Sequence, residues 1–295
     1  MCSKDLMHRF LFDKSDIRGE IVTLANSYQQ IADNNPDLPG NVQTVLGEFV
    51  AAVSLLSSTL KFDGVITLQA RGNGPVSIVM AECNHHNTLR GIARLNPDTG
   101  RDDFRERDLR QLLGSNATLT ITIDPDKGER YQGVVPLDSE KLSECLEHYF
   151  SQSEQLPTRF WLASDSEKAS GLMLQALPRQ LTSEEDNTQL WQTAVHLAET
   201  VKPEELLELE HATILYRLFN EEEVRLFEPA ALHFACSCSR ERSANALISL
   251  GKLEVERLLQ EQEIIKIDCQ FCNQSYTFGQ RDLGSLFGGS NQTLH

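Results

Sequence analysis

Cys236-Ser237-Cys238-Ser239-Arg240-Glu241-Arg242 and, after a gap of 30 residues from the second cysteine, Cys269-Gln270-Phe271-Cys272 hold four of the seven cysteines of this chain. Two close pairs of thiols match the tetrahedral all-sulfur coordination that zinc prefers, each pair giving two ligands from one turn while the spacer folds over the metal. A lone CxxC is a moderate signal, and the second pair makes it strong. From Ala231 onward the segment has one helical stretch, Asn245 to Gln260, and a closing strand-like run, Ser275-Tyr276-Thr277-Phe278. Its apolar content is thin, and a unit this small buries too little surface to fold securely alone, whereas a structural zinc contributes an apparent ~10–16 kcal/mol. Metal-bound thiolates are deprotonated, so an oxidant that attacks them ejects the metal and leaves disulfides. Folding and redox state thereby become one variable.

Working outward, residues Leu181 to Ala230 carry twelve acids and three bases, which is −9 of the net −16 of the 295-residue chain. Leu190, Ala194, Leu197 and Val201 keep a helical period, as do Leu207, Ile214, Leu215 and Leu218, with Pro203 dividing the two sets. The runs Glu184-Glu185-Asp186 and Glu221-Glu222-Glu223 repel themselves and weaken a packed state. Two readings stand: a marginal, releasable linker, or an ordinary helical domain with a solvated acidic face.

The first 180 residues alternate strand-like and helix-like segments. Arg9 to Phe12 and Glu20 to Leu24 favour extended structure, and Asn41 to Leu60 reads as a core helix with Val45, Phe49, Val53 and Leu56 on one face, widened by Ala51, Ala52 and Leu55. Strands follow at Val65 to Ala70, Val76 to Ala81 and Thr88 to Leu95, separated by Gly72-Asn73-Gly74-Pro75 and Asn84-His85-His86-Asn87, both turn chemistry. Gly72 and Gly74 lack the helix and further glycine of a phosphate loop, and His85-His86 reads as a solvated loop tip. A hairpin pairs Thr118 to Ile123 with Arg130 to Val135; a helix spans Lys141 to Tyr149; a last strand pair spans Arg159 to Ala163 and Gly171 to Ala176. The fold expected is α+β: a mixed N-terminal core (1–180) with antiparallel hairpins around a buried helix, a helical linker (181–230) and a small zinc-binding domain (231–295).

Nothing in the core forms a catalytic set: no nucleophile elbow, metalloprotease helix or Walker loop is present, and the chain reads as a non-enzyme. Cys83 and Cys145 read as small buried hydrophobes and Cys2 as a terminal residue. The acidic balance disfavours a phosphate-backbone binder. The N-terminus lacks the apolar run of a signal peptide, and Phe49 to Leu60 is too short and serine-rich to span a bilayer, so a cytoplasmic protein is expected, whose reducing compartment favours zinc over a permanent disulfide.

The cysteine runs, with Asn273 and the closing Tyr276-Thr277-Phe278, resemble the zinc-binding end of the heat-shock protein 33 family. So do Ile17-Arg18-Gly19-Glu20, Thr59-Leu60-Lys61-Phe62-Asp63-Gly64, Gly128 to Val135 and Ser153-Glu154-Gln155-Leu156-Pro157-Thr158, in order and across nearly the whole chain. The resemblance implies an ATP-independent stress-response holdase, inactive when reduced with one zinc on Cys236, Cys238, Cys269 and Cys272. It further implies that oxidation links Cys236 to Cys238 and Cys269 to Cys272, releases zinc, unfolds the module and loosens the linker. The active form would be a dimer that holds unfolded clients until an ATP-dependent foldase chaperone receives them. The acidic amphipathic linker would then bind apolar segments while its charge keeps the complex soluble.

Two other classes compete. A zinc-ribbon module for nucleic acid or protein needs more positive charge than residues 231–285 supply, with six bases against seven acids. A thiol-disulfide oxidoreductase using Cys269 and Cys272 needs a CxxC that opens a helix in a thioredoxin-like setting. The tail from Gly279 carries no assigned role.

Overall fold

The computed structural model describes residues 5–59, 63–100, 104, 108–178, 181 and 183–287. Cys2, the Leu60-Lys61-Phe62 part of the family-like run and the end of the tail lie outside them. Among the described residues the chain divides into two units, Met1–Ala235 and Cys236–His295.

The larger unit runs β1 (Leu6–Phe12), β2 (Ile17–Leu24), α1 (Asn26–Asp33), α2 (Gly40–Ser57), β3 (Gly64–Arg71), β4 (Val76–Asn84), β5 (Thr88–Leu95), α3 (Leu109–Leu113), β6 (Thr118–Pro125), β7 (Tyr131–Pro136), α4 (Leu142–Tyr149), β8 (Thr158–Ser164) and β9 (Ala169–Ala176). It continues through α5 (Glu184–Ala198), α6 (Pro203–Glu208), α7 (His211–Phe219), β10 (Val224–Leu226), β11 (Ala230–Ala231) and β12 (His233–Phe234). One sheet has the order β10-β1-β2-β9-β8, with β11 also on β1, and the second has the order β12-β5-β4-β3-β6-β7. All pairings are antiparallel except β12 on β5.

Helix α2 packs on β2, β8 and β9 of one sheet and on β3, β4 and β5 of the other. With a sheet on either side it cannot keep a polar face, and every residue from Phe49 to Leu56 is buried. The one hydroxyl in that stretch, Ser54, donates to the Val50 carbonyl at 2.7 Å, so no polar group is stranded. The α+β core with hairpins around a buried helix is the architecture observed. Cys83 on β4 and Cys145 on α4 lie inside it, and burial pushes the Cys83 thiol up to about 12 and raises that of Cys145. Of the two loop histidines, His86 is exposed, whereas His85 is half-buried because its Nδ1 accepts the Gly64 N–H at 3.0 Å.

The other face of the first sheet is also apolar. Alternation along the strands points Phe10, Phe12, Ile17, Ile21, Leu172 and Leu174 away from α2. Helices α5, α6 and α7 cover this face with Ala194, Ala198, Leu206, Ile214, Leu215, Leu218 and Phe219. Sheathed on both sides, β9 is buried at all eight positions. Gly19 on β2 belongs to the same surface: a Cβ there would sit 2.1 Å from the Phe10 ring, which lies across it from the paired position on β1.

The acidic runs meet different fates. Glu184-Glu185-Asp186 opens α5, where Ser183 caps by accepting the Asp186 N–H at 3.1 Å and the positive end of the helix dipole offsets the repulsion expected between Glu185 and Asp186. Glu221-Glu222-Glu223 follows α7, with Glu223 reaching Lys14 at 3.4 Å on the surface. Pro203 is the first residue of α6, where its missing N–H costs nothing.

The smaller unit contains α8 (Arg240–Leu250), α9 (Lys252–Gln262), β13 (Ile264–Asp268), β14 (Ser275–Gly279) and α10 (Leu283–Phe287). The single helix expected from Asn245 to Gln260 is two helices, broken at Gly251, whose φ of +91° no side-chain-bearing residue adopts cheaply. Among the described residues the fully buried part of this unit's core is five side chains, Leu247, Val255, Leu259, Ile265 and Phe278.

Candidate metal centre

Each cysteine pair sits on a short, locally determined loop. Cys269 to Cys272 occupy the turn between β13 and β14, closed at one end by Cys269 N–H on the Gln274 carbonyl (2.9 Å) and by Asn273 N–H on the Cys269 carbonyl (2.8 Å). Asn273 stands at φ +56°, a left-handed position that asparagine tolerates better than most residues. Cys236 and Cys238 precede α8, whose cap Ser239 accepts the Arg242 N–H at 3.1 Å and so fixes where the chain leaves the first pair.

The four sulfurs converge to within 4.8 Å of one another. The short contacts run between the pairs: Cys236 to Cys269 at 3.5 Å and Cys238 to Cys272 at 3.4 Å. A tetrahedron of sulfurs about 2.3 Å from a metal has edges of about 3.8 Å, so the set is of the right size. The surrounding donors suit anionic sulfur. Cys236 takes the Cys238 N–H, Cys269 those of Phe271 and Cys272, and Cys272 that of Gln274. Tyr276 Oη lies 3.2 Å from Cys238 Sγ.

Ionisation within the cluster is uneven. Burial raises the Cys269 thiol, but its two backbone donors and the neighbouring sulfurs outweigh it and bring the group down to about 7. Burial, joined by the adjoining sulfurs, pushes Cys272 up to about 12, and Cys236 is raised mainly by burial. Four sulfurs this close cannot all carry charge without a counter-charge, and a divalent cation supplies one. The donor set can hold a metal ion.

The sequence reading brought these four residues together but missed what frames them. Arg240 lies 4.4 Å over the Phe278 ring, donates to the Thr277 carbonyl at 2.6 Å and pairs with Asp282 at 2.8 Å, while Asp282 accepts the Gly279 N–H at 2.8 Å. Through Asp282, and through Leu283, Leu286 and Phe287 packed on the small core, the chain beyond Gly279 is part of the unit. Strand β13 was also missed, although Ile264-Ile265-Lys266-Ile267 carries the β-branched signal. Tyr276 had a signal too: it shares strand parity with the buried Phe278.

Among the described residues no helix is long and apolar enough to cross a membrane. The family model described as Hsp33 protein matches residues 5–279. The 33 kDa chaperonin of Pseudomonas aeruginosa is 50% identical over 292 residues, 98% of this chain and 97% of that protein. The 33 kDa chaperonin of Azotobacter vinelandii is 49% identical over 296 residues, 98% of this chain and 96% of that protein. The crystal structure of the 33 kDa chaperonin, a heat-shock protein 33 homologue, from Thermotoga maritima superposes with a TM-score of 0.80 at 25% identity, covering 95% of this chain and 97% of that one. Matched along nearly its whole length by these proteins, and carrying a two-sheet unit followed in sequence by a unit with four converging sulfurs, this chain belongs to the Hsp33 family of chaperones.

Proposed function

We propose that this chain is an ATP-independent holdase switched by oxidation. In the reduced state Cys236, Cys238, Cys269 and Cys272 hold one zinc, which neutralises the clustered thiolates and stabilises the small unit; helices α5 to α7 then keep the outer face of the first sheet covered. The observation that carries the reading is the convergence of the four sulfurs in a unit whose fully buried core, among the described residues, is five side chains. Such a core contributes little against chain entropy, so the metal decides whether the unit is folded.

The trigger balances as follows. A thiolate attacks a peroxide oxygen, an S–O bond forms as the O–O bond breaks, and the departing hydroxide takes a proton to become water. A second thiolate displaces hydroxide from that sulfur to close a disulfide, so two electrons and two protons carry one peroxide to two waters. The pairs linked are Cys236 with Cys238 and Cys269 with Cys272, and two peroxides are consumed per chain. Disulfide sulfur is a poor zinc ligand, so the unit loses its metal and its fold.

The effector is the segment 181–230. Its release uncovers Phe10, Phe12, Ile17, Ile21, Leu172 and Leu174 as well as its own apolar stripe. Its hold is mainly the apolar contact of α5 to α7 on the sheet, because its ion pairs are weak: Arg159 to Glu199 at 3.1 Å and Lys168 to Glu208 at 2.9 Å are partly exposed, each worth at most about 1 kcal/mol. Its acidity keeps a client complex soluble. The released form dimerises, passes clients to an ATP-dependent foldase system and works in the cytoplasm without enzymatic turnover. Arg240 is engaged within its own unit and Arg242 donates to Ser237 at 2.7 Å, which argues against a nucleic-acid ribbon. The Cys269–Cys272 turn opens no helix, which argues against an oxidoreductase.

Zinc content and free thiols, measured before and after peroxide at raised temperature beside a client-aggregation assay, test the proposal. Zinc loss, thiol loss and suppression of aggregation should appear together. Full holdase activity in the reduced, zinc-loaded protein at ordinary temperature would sink the switch.

A further inference from the structure

The four sulfurs are not served alike. Cys236, Cys269 and Cys272 take N–H groups from their own loops, whereas Cys238, among the described residues, has the Tyr276 hydroxyl at 3.2 Å as its hydrogen-bonding partner outside the sulfur set. Backbone donors are fixed by the loop that carries the cysteine. Tyr276 comes from elsewhere: it stands on β14 opposite Ile267 of β13, and its ring packs against the cluster of Leu247, Val255, Leu259, Ile265 and Phe278. One side chain therefore touches both a sulfur and the core that the sulfurs stabilise.

We infer that Tyr276 is a positioning residue that sets the reactivity of the Cys238 sulfur, its O–H donating to the thiolate and drawing charge from it. The inference rests on the redox-switch reading. A thiolate that shares its lone pair with a donor is a poorer nucleophile toward the peroxide oxygen and is held at one place in the ligand set. Once Cys238 enters a disulfide its negative charge is gone, and two electrons have passed to peroxide, which leaves as two waters. The hydroxyl then loses a charged acceptor, and β14 loses its tie to the first cysteine loop. The same bond thus slows the trigger while the unit is reduced and passes the oxidation of Cys238 to the core afterwards.

Tyr276→Phe keeps the ring and removes only the hydroxyl. In the full-length, reduced, zinc-loaded protein exposed to hydrogen peroxide, with zinc followed by a metallochromic chelator, this variant should release metal roughly three- to tenfold faster than the unaltered chain. Ser275→Ala is the control, since Ser275 Oγ bonds Asp268 and not a sulfur, and its rate should match the unaltered chain. A second readout needs no oxidation: with Co(II) in place of zinc, the sulfur-to-metal charge-transfer bands should shift in Tyr276→Phe and stay put in Ser275→Ala. Equal release rates with an unchanged cobalt spectrum overturn the inference, as does equal acceleration in both variants. If the unaltered protein keeps its zinc under peroxide, the switch reading falls, and the cobalt spectrum still decides whether Tyr276 bears on the sulfur.

Discussion

The six described cysteines divide by what surrounds the sulfur. Cys83 is buried in an apolar core with a thiol pushed up to about 12, a group that stays protonated and resists oxidation. Cys269, a half-exposed residue, takes two backbone N–H groups and comes down to about 7, so it is the sulfur best prepared to ionise for a metal. Cys269→Ser should therefore abolish tight zinc binding, because three thiols leave an open position and the serine hydroxyl does not ionise in place of the fourth. The fall in affinity should exceed the roughly 10–100-fold that follows loss of a supporting hydrogen bond alone. Cys83→Ser should leave zinc content at one per chain. Competition against a calibrated chelator checks both, and an unchanged affinity in Cys269→Ser would remove this cluster as the metal site. The four cysteines were legible as one set because short spacing brings each pair together on its own loop. Tyr276 and Asp282 were not, because their roles depend on the β13–β14 register and on the contact of Arg240 with residues 37 and 42 positions away.

At the scale of elements, α7 meets the first sheet through a pair of histidines. His211, its first residue and 7% exposed, has Nδ1 at 2.8 Å from Nδ1 of His8 on β1 and Nε2 at 2.9 Å from Thr23 Oγ1 on β2, which lies 3.2 Å from Ser170 Oγ on β9. One ring donates its Nδ1 proton to the lone pair of the other, so the contact requires at least one neutral ring. Burial first, and the nearby His8 second, depress His211 to about 3. Burial likewise lowers His8, opposed by Glu228, the one acid that acts on it. A histidine whose folded value lies below its free value of about 6.5 stabilises the docked state above that pH and loses the contribution as pH falls toward 3. At pH 5 the loss is about 2 kcal/mol for undocking that returns His211 to water. Limited proteolysis within residues 184–219 should accelerate between pH 7 and pH 5, and His211→Gln, which keeps a polar partner for Thr23 and cannot titrate, should flatten that profile. A profile equally steep in the variant would show that His211 is not the group responsible. The period of the apolar residues foretold helices here. It could not foretell the histidine contact, which joins positions 203 residues apart, nor β10 to β12, whose two or three residues pair with the edges of both sheets and carry too little periodicity to read.

For the whole molecule, the cysteines and the apolar cover are separable parts of one device. On the proposed switch the trigger is the four-cysteine unit, Cys236–His295, and the cover belongs to the other unit, joined to it in sequence by the segment that pairs with β1 and β5. If chaperone activity comes from uncovering the first sheet, loosening the cover alone should suffice. Ile214 is 1% exposed on the underside of α7, away from the sulfurs in sequence and in the other unit. An aspartate there must either be buried without a partner, at a cost of several kcal/mol, or pull the helix away from Phe10, Phe12 and their neighbours. The two-sheet core around α2 has its own larger set of buried side chains, so it survives the change. Ile214→Asp should suppress client aggregation while fully reduced, with its zinc content still one per chain and residues 184–219 newly open to protease. Were the variant cleaved there yet inactive toward clients, the surface under the linker would not be the one that holds them. Were it active with the segment still protected, activity would arise elsewhere on the chain, and the trigger would have to reach it by a route other than the cover.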